Sequence, residues 1–369
     1  MGTTRLHIAL LCGGRSTEHA ISVSSSVNIA SVLNDSDRYA LSIIYIAENG
    51  FWYLMEDVEA FLANSPQKLI SEGKACPIAL LPGNSKMPWL ALDASGKRYV
   101  ADCVFIALHG TQGEDGSPQG LLQMLGIPYV GSDLLSSAIC MDKSVTKTVL
   151  EAAGISVVDW RLIDQDDARL SYDNLKQQFG KTLFIKPTTL GSSVGVAKVS
   201  DSDAFQRAID YAFSYDNRII IEPAIFGREI ECPVLGNDKI QTAWPAEIIY
   251  HDNTFYSYDR KYKNSSAVTI QVPAALSQKL AKKIRHTAIQ AYKILGCSGM
   301  ARVDFFIDNQ DAILINEVNT IPGFTDNSLY PKAFQKSGLS TSDLLDQLIQ
   351  LALKRYQGNQ VLRRIYKTV

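Results

Sequence analysis

Hydrophobic and polar residues alternate most regularly in two adjacent stretches of the C-terminal third. Residues 300–307 and 312–319 alternate with a period of two, and the Asp-Asn-Gln-Asp sequence of residues 308–311 separates them. Alternation of this kind predicts β-strands, and asparagine and aspartate favour turns. The pattern therefore predicts an antiparallel β-hairpin.

The polar face of this hairpin carries both signs of charge. With a loop of two or four residues, Ile307 faces Ala312, so Arg302 lies directly opposite Glu317. Asp304 then lies diagonally from Glu317, at about 7–8 Å between Cα atoms, and one ion can reach both carboxylates across that span. An odd-numbered loop would break this register.

Two carboxylates and an amide on one face indicate a magnesium site. Asp304 and Glu317 supply carboxylate oxygens, and Asn319 continues the same face. Such hard oxygen ligands suit Mg²⁺ when phosphates complete its octahedral coordination. Each charged residue alone could belong to the solvated surface of a sheet, but the combination favours a metal site.

In the N-terminal part, apolar runs alternate with helical patterns. Residues 6–12, 39–47 and 103–108 have the composition of buried strands, and apolar residues at spacings of three and four from Ala20 to Ala30 predict a helix. Strands alternating with helices predict a doubly wound parallel sheet, which binds ligands beyond the carboxyl ends of its strands. Residues 56–97 show no clear pattern.

Glu18 and His109 follow two of these strand ends. Glu18 lies in the first turn of a helix, where free N–H groups and the positive end of the helix dipole favour anions. A plainer interpretation of Glu18 is compensation of that dipole, and His109 can be a structural loop histidine. The residues alone leave both alternatives open.

Residues 182–199 have the pattern of two strands joined by a loop of small residues. Lys186 lies at the entrance to this loop, Gly191-Ser192-Ser193-Val194-Gly195. Glycine and serine allow backbone N–H groups to converge on an anion, and Lys186 adds positive charge. No lysine and no helix follow the glycines, so this is not a Walker loop. A hairpin turn without a ligand is the competing interpretation.

Further charged residues are less informative by themselves. Lys143 lies on a predicted helix, where lysines are usually solvated. Glu222 and Glu229 lie at strand ends and could accept hydrogen bonds from adenine and ribose, or be surface carboxylates. The polar, aromatic-rich stretch of residues 250–272 predicts a lid or binding loop, in which Lys261-Tyr262 is the most chemically loaded pair.

Composition narrows the class of protein. A chain of 369 residues suggests two or three domains, and a net charge of −2 argues against nucleic acid or an anionic membrane as a partner. The six cysteines form no Cys-x-x-Cys pair, and no run of eighteen apolar residues occurs. These features predict a cytoplasmic protein with reduced thiols.

Taken in order, the motifs resemble one family. They span residues 5 to about 355, and the set is similar to that of the D-alanine–D-alanine ligases of the ATP-grasp superfamily. The matching motifs are Gly13-Gly14-x-Ser16-x-Glu18-His19-x-Ile21-Ser22, His109-Gly110-x-x-Gly113-Glu114-Asp115-Gly116, Met141-Asp142-Lys143, Lys186-Pro187 with Gly191-Ser192-Ser193-Val194-Gly195, Glu222 with Glu229, Lys261-Tyr262, Arg302-Val303-Asp304, Asn316-Glu317-x-Asn319-Thr320-x-Pro322-Gly323-Phe324-Thr325, and Ser328-Leu329.

The resemblance implies an α/β and α+β protein with the ATP-grasp fold. Residues 1–131 would form an N-terminal α/β substrate-binding domain with the doubly wound parallel sheet. Residues 132–217 would form the central ATP-grasp subdomain, and residues 218–369 the C-terminal ATP-grasp domain with the metal site and the lid loop. ATP would be clamped between the antiparallel sheets of the last two, and the family suggests a homodimer.

The resemblance also implies roles for the candidate residues. Contacts to ATP would come from Lys143, Lys186, Ser193, Glu222 at adenine and Glu229 at ribose. Two Mg²⁺ ions, or Mn²⁺ in their place, would bind Asp304, Glu317 and Asn319. The first D-alanine would be held by Glu18 with Ser192 and Tyr262, near His109. The oxyanion would be stabilised by Arg302 and the Gly323 N–H. The transferred phosphate and the second carboxylate would contact Lys261 and Ser328.

The implied reaction joins two D-alanine molecules through D-alanyl phosphate, for peptidoglycan precursor synthesis. One alternative is a ligase that joins D-alanine to D-lactate or D-serine. Tyr262 argues against the ester-forming enzymes, because they resemble one another in lacking tyrosine at that position. A second alternative is a non-catalytic ATP-grasp module that binds nucleotide. The presence of Arg302, Asp304, Glu317 and Asn319 argues against it.

Overall fold

The computed structural model describes residues 5–83, 85–165, 171–251 and 268–363. Three sheets organise this part of the chain. None of its helices is long and apolar enough to cross a membrane.

The first sheet is built from the N-terminal part of the chain. Its strand order is β6-β5-β4-β3-β2-β1-β7. The strands are β1 (Leu6–Gly13), β2 (Tyr39–Ile46), β3 (Trp52–Met55), β4 (Cys76–Leu80), β5 (Trp89–Ala91), β6 (Arg98–Tyr99) and β7 (Cys103–Ile106), and the helices are α1 (His19–Asn34), α2 (Val58–Ala63), α3 (Pro66–Ser71) and α4 (Ser117–Leu125).

The predicted parallel sheet corresponds to β1, β2 and β7. These strands pair in parallel, and β1 is buried from Ile8 to Cys12, as expected for apolar runs covered on both faces. Strands β3 to β6 extend the sheet with antiparallel pairs. The unpatterned residues 56–97 therefore supply the antiparallel edge and two short helices.

The second sheet is antiparallel, with the order β10-β9-β11-β8. This region contains α5 (Leu134–Met141), α6 (Lys143–Ala152), β8 (Arg161–Asp164), α7 (Tyr172–Phe179), β9 (Leu183–Pro187), β10 (Ala197–Val199), α8 (Ser202–Phe213) and β11 (Arg218–Pro223). Because β11 pairs with β8 and β9, a domain boundary at residues 217 and 218 would divide this sheet. We propose that the boundary follows Pro223 instead.

The third sheet has the order β15-β14-β12-β16-β17, and β13 pairs with β12. Helix α9 covers one face of it, with Ile284, Ala288 and Tyr292 buried. The elements of this region are β12 (Gly227–Gly236), β13 (Gln241–Thr242), β14 (Ala246–Tyr250), β15 (Val268–Gln271), α9 (Gln278–Ile294), β16 (Gly299–Asp308), β17 (Ile313–Asn319), α10 (Leu329–Lys336) and α11 (Thr341–Gln360).

The predicted hairpin is formed by β16 and β17, but its predicted register is wrong. Ile307 faces Ile313 rather than Ala312, and an irregularity between Asp304 and Phe305 shifts the pairing again. Each shift moves the register by one residue, so together they return the side chains to the predicted face. Asp304 consequently lies opposite Glu317, and Arg302 lies opposite Asn319.

Helix α11 packs back onto the first core. Leu344, Leu345 and Leu348 are fully buried in the same hydrophobic cluster as β1 and β7. Near the end of α11, Arg355 donates to the carbonyl of Tyr129 at 2.9 Å. The N-terminal core is thus completed by α11, the last helix among the described residues.

Candidate active site

A cavity lies beside β17, the edge strand of the third sheet. It is lined by residues of α5 and α6, of the loop after β9 and of β17, together with Glu114 from the N-terminal region. Lys143, Glu317 and Asn319 contribute polar groups to its wall. Three of the predicted site residues therefore line one cavity.

Arg302, Asp304 and Asn319 form a hydrogen-bonded cluster on the hairpin. Nε and Nη2 of Arg302 donate to the two carboxylate oxygens of Asp304 at 2.7 and 2.6 Å. Nδ2 of Asn319 donates to Asp304 at 2.9 Å, and Nζ of Lys143 lies 3.5 Å from a carboxylate oxygen of Glu317. The predicted hairpin face is thus joined by a lysine from α6.

The donor set fits a divalent cation that also contacts phosphate. Within the described ranges, no three acidic, histidine or cysteine side chains are arranged to hold a metal by themselves. Mg²⁺ at nucleotide sites uses one or two carboxylates and takes its remaining ligands from phosphates and water. Asp304 and Glu317, which are direct partners across two strands, can supply those carboxylates.

A second charged cluster joins α6, β9 and β11. Glu222 is only 2% exposed, and its two oxygens lie 2.8 Å from Nζ of Lys147 and 2.5 Å from Nζ of Lys186. Lys147 also donates to the Val158 carbonyl at 3.0 Å, and Lys186 donates to the Asn316 side chain at 3.3 Å. Lys186 is therefore held between Glu222 and β17.

Burial opposes the charged forms of both Glu222 and Lys147. At Glu222 the two lysines outweigh burial, so the pKa of its carboxyl lies below the ordinary value. At Lys147 burial outweighs the attraction of Glu222, and the pKa of its ammonium is lowered. With two lysines and one carboxylate, the cluster can keep positive charge for an anion such as phosphate.

The loop after β9 has an unusual backbone. Ser192 and Ser193 have φ angles of 51° and 61°, in the left-handed region that serine rarely adopts. Nζ of Lys143 donates to the carbonyl of Leu190 at 2.6 Å and so holds the start of this turn. Residues in sparsely populated conformations are concentrated at functional sites, which agrees with the predicted anion loop.

Glu18 meets this loop from the N-terminal domain. Its side chain is buried and accepts a hydrogen bond from the Ser192 hydroxyl. A Cβ at Gly110 or Gly191 would lie 2.5 or 3.1 Å from Oε2 of Glu18. Glycine at both positions therefore permits the carboxylate to approach the backbone.

His109 is linked through Ser25 to the segment after β17. Its Nε2 lies 3.1 Å from the hydroxyl of Ser25, which accepts a hydrogen bond from the Phe324 N–H at 3.2 Å. Burial lowers the pKa of His109, but the carboxylates of Glu114 and Glu18 outweigh it, so the pKa is raised. A neighbouring pair of carboxylates thus favours a protonated imidazole.

Two family models together match most of the chain. The model of the D-ala D-ala ligase N-terminus matches residues 7–132, and that of the D-ala D-ala ligase C-terminus matches residues 149–350. This chain belongs to the D-Ala–D-Ala ligase family.

Individual relatives of this chain are also D-alanine–D-alanine ligases. A D-alanine–D-alanine ligase of Coxiella burnetii (strain RSA 493 / Nine Mile phase I) is 49% identical over 365 residues, which cover 98% of each chain. D-alanine–D-alanine ligase A of Escherichia coli K12 is 40% identical over 362 residues, covering 97% of this chain and 99% of that one.

Solved structures of the family have the same fold. The D-alanine–D-alanine ligase structure from Coxiella burnetii has a TM-score of 0.88 and 47% identity over 96% of each chain. The VanG D-Ala:D-Ser ligase of Enterococcus faecalis has a TM-score of 0.84 and 35% identity over 95% of this chain and 100% of that one. The predicted D-Ala–D-Ala ligase family and the ATP-grasp fold class are confirmed.

For this member of the D-Ala–D-Ala ligase family, most predicted site residues lie near one another. Direct contacts or strand pairing join Glu18 to Ser192, Lys143 to Glu317, Lys186 to Glu222, and Asp304 to Arg302, Glu317 and Asn319. Ser193 follows Ser192 in the same loop, and His109 contacts Ser25. Glu229 lies further along β12, where it accepts from the Tyr250 hydroxyl. The Ser328 hydroxyl accepts from the Thr325 N–H at 2.8 Å, close to Gly323. Lys261 and Tyr262 lie outside the described residues.

Sequence reasoning missed two charged residues of the site. Lys147 was given no site role, yet it is 1% exposed and binds Glu222. Glu231 lies on β12 opposite Asp304, and its carboxylate lies 3.0 Å from Nε of Arg302. Two spacings in the sequence could have indicated these residues. Lys147 lies one helical turn after Lys143, and Glu231 lies on the same face of a strand as Glu229.

The lysine cluster predicts a specific pattern of stability changes. Glu222→Gln would leave the buried Lys147 without a counter-charge and lower the free energy of unfolding by about 3–5 kcal/mol. The double variant Glu222→Gln with Lys147→Met removes that charge and should recover most of the loss. Urea unfolding followed by circular dichroism measures both. Equal stability of the single and double variants would contradict this account of the cluster.

Proposed function

We propose that this chain joins two molecules of D-alanine to D-alanyl-D-alanine and converts ATP to ADP and phosphate, in the supply of peptidoglycan precursors. The contact between Ser192 and Glu18 supports this most directly. It brings a buried carboxylate, able to pair with a substrate ammonium, against the loop that Lys143 holds. An amino acid bound at Glu18 would lie beside the groups suited to phosphate.

In the first step, a carboxylate oxygen of D-alanine attacks the γ-phosphate of ATP, and ADP leaves. Glu18 holds the ammonium of this D-alanine, with Ser192 and Tyr262 supporting it and His109 nearby. Lys143 and Lys186 neutralise phosphate charge, and Ser193 covers the phosphates. In this proposal Glu222 faces the adenine of ATP, and Glu229 faces its ribose.

A divalent cation fits the oxygens of Asp304, Glu317 and Asn319, and we propose Mg²⁺, with Mn²⁺ as the alternative ion. Two such ions would neutralise charge on the phosphates of ATP. Arg302 already contacts Asp304, so this part of the site balances a guanidinium against carboxylates before any cation binds.

In the second step, the amine of another D-alanine attacks the acyl carbon of D-alanyl phosphate. The C–O bond to phosphate breaks, and the departing phosphate takes up the proton that the attacking amine loses. Arg302 and the Gly323 N–H stabilise the oxyanion, while Lys261 and Ser328 bind the phosphate and the second carboxylate. No side chain forms a covalent bond, so catalysis depends on orientation and electrostatics.

A second candidate is a ligase with a different second substrate. The 35% identical VanG structure is a D-Ala:D-Ser ligase, so this fold accommodates that substrate in a relative. Tyr262 argues against the ester that D-lactate would give, whereas D-serine gives a dipeptide and is distinguished by the mass of the product. We also propose a homodimer, on the basis of the family resemblance, and a cytoplasmic location, on the basis of the composition.

The deciding experiment is an assay of the purified chain with ATP and Mg²⁺. We expect D-alanine alone to give ADP and D-alanyl-D-alanine in equal amounts, identified by mass, and L-alanine to give neither. D-lactate or D-serine added with D-alanine should yield little mixed product. A mixed product in excess would reverse the substrate assignment, and no D-alanine-dependent ADP would favour a nucleotide-binding module.

Removing one carboxylate of the proposed metal site should abolish most turnover. Glu317→Gln keeps the shape but loses the charge, and we expect kcat to fall roughly 100-fold or more. The melting temperature should change little, because Glu317 faces the cavity. ADP formation close to that of the unsubstituted chain would refute the role of Glu317 in metal binding.

The tyrosine proposed to favour the dipeptide can be tested by product ratio. Tyr262→Phe removes a hydroxyl that can complete the hydrogen bonds of Glu18 and Ser192, so the ratio of ester to dipeptide should rise with D-lactate present. Tyr211→Phe, at a half-exposed tyrosine of α8, is the control. An unchanged ratio in the Tyr262 variant would count against this role.

A further inference from the structure

Glu231 carries a buried charge to which the reaction described above gives no role. Glu231 lies on β12 and is 5% exposed. The register places Glu231 opposite Asp304, and Asp304 opposite Glu317, so three carboxylates lie side by side on adjacent strands. Like charges directly opposite one another destabilise a sheet, so this arrangement needs positive charge.

That positive charge is the guanidinium of Arg302. Its Nε lies 2.7 Å from Oδ1 of Asp304 and 3.0 Å from Oε2 of Glu231, and its Nη2 lies 2.6 Å from Oδ2 of Asp304. Arg302 therefore contacts a carboxylate on its own strand and another on the neighbouring strand. Only Asp304 belongs to the proposed metal site.

These contacts conflict with the two roles proposed for Asp304 and Arg302. A carboxylate that binds a divalent cation has less negative charge to offer a guanidinium, and the cation itself repels Arg302. Without another partner, Arg302 would either hold Asp304 back from the cation or lose its own position. Glu231 supplies that other partner from a strand that carries no proposed metal ligand.

We propose that Glu231 is a positioning residue, which keeps Arg302 aimed at the developing oxyanion when Asp304 binds the cation. The inference rests on the proposed function. Glu231 touches neither substrate nor phosphate in this scheme and acts through the guanidinium alone. Its loss should therefore affect the second step, in which the oxyanion forms, more than nucleotide binding.

The same sheet offers a matched control. Glu247 on β14 makes a bidentate pair with Arg228, with both N···O distances 2.6 Å, and is also buried. Glu247 pairs in register with Ile230, which packs in the core beneath α9, so it lies on the face opposite to Glu231. Glu247→Gln thus removes a buried carboxylate from an arginine outside the site.

The kinetic test compares Glu231→Gln with Glu247→Gln. In the first variant we expect kcat to fall roughly 10- to 100-fold, because a small misplacement of a catalytic group has effects of that size. The KM for ATP should stay within about threefold. ADP should exceed dipeptide. Slower attack by the second amine leaves D-alanyl phosphate more time to be hydrolysed by water to D-alanine and phosphate. Glu247→Gln should keep kcat and a ratio of one.

A second measurement does not depend on turnover. In the protein without ligands, the Nε–H signal of Arg302, assigned by its loss in Arg302→Lys, reports the contact with Glu231. In Glu231→Gln we expect this signal to shift and its proton to exchange faster with water. Glu247→Gln should leave it unchanged.

The outcomes separate this inference from the proposed function. If the unsubstituted chain makes no dipeptide, the function is refuted, while an unshifted Arg302 signal in Glu231→Gln refutes the contact itself. If the chain is active and Glu231→Gln keeps an ADP-to-dipeptide ratio of one, the positioning role is refuted. If Glu231→Gln does not fold, Glu231→Asp is the substitute, because it keeps the negative charge but moves it away from Arg302. We expect a raised ADP-to-dipeptide ratio in that variant too. A ratio of one would overturn the proposal.

Discussion

Carboxylates on neighbouring strands repel one another, yet three of them lie side by side on adjacent strands of the third sheet. Glu231, Asp304 and Glu317 are direct partners on β12, β16 and β17. Arg302 and Lys143 supply the nearest positive charges, and Lys143 comes from a helix outside the sheet. Burial raises the pKa of Asp304, and although Arg302 opposes this, Glu231 and Glu317 add to it. The row of carboxylates therefore depends on the guanidinium of Arg302 within the sheet and on the ammonium of Lys143 from outside it.

This dependence joins regions that are distant in sequence. Lys143 touches both the loop after β9 and Glu317, and the same loop touches Glu18 of the N-terminal domain. Lys186 reaches from the second sheet to Asn316 of the third. Each contact places a charged or polar group from one sheet against another, so the relative positions of the sheets and the electrostatics of the site are set by the same side chains.

The hairpin shows how far the sequence could predict this site. Alternation predicted both strands and the face shared by Arg302, Asp304 and Asn319, because a displacement of two residues preserves the face. The register itself was wrong. It depends on the length of the turn and on the irregularity near Phe305, and alternation contains no information about either.

Burial was the other quantity that the sequence did not reveal. Lys147 has the position of an ordinary surface lysine on a helix, and only the fold shows that Glu222 and the Val158 carbonyl enclose it. Residues 56–97 likewise showed no period, because short antiparallel strands at a sheet edge are too brief to establish one. The motif residues were easier to predict, because their order along the chain resembles that of a whole family.

The position of α11 has a consequence for the order in which the protein folds. Domains of a growing chain generally fold from the N-terminus as they leave the ribosome. Here the first core lacks Leu344, Leu345 and Leu348 until synthesis has passed the second and third sheets. Until α11 packs, the N-terminal domain exposes the apolar surface that α11 covers in the folded protein. Loss of α11 would leave the apolar surface that it covers in the first core exposed to solvent.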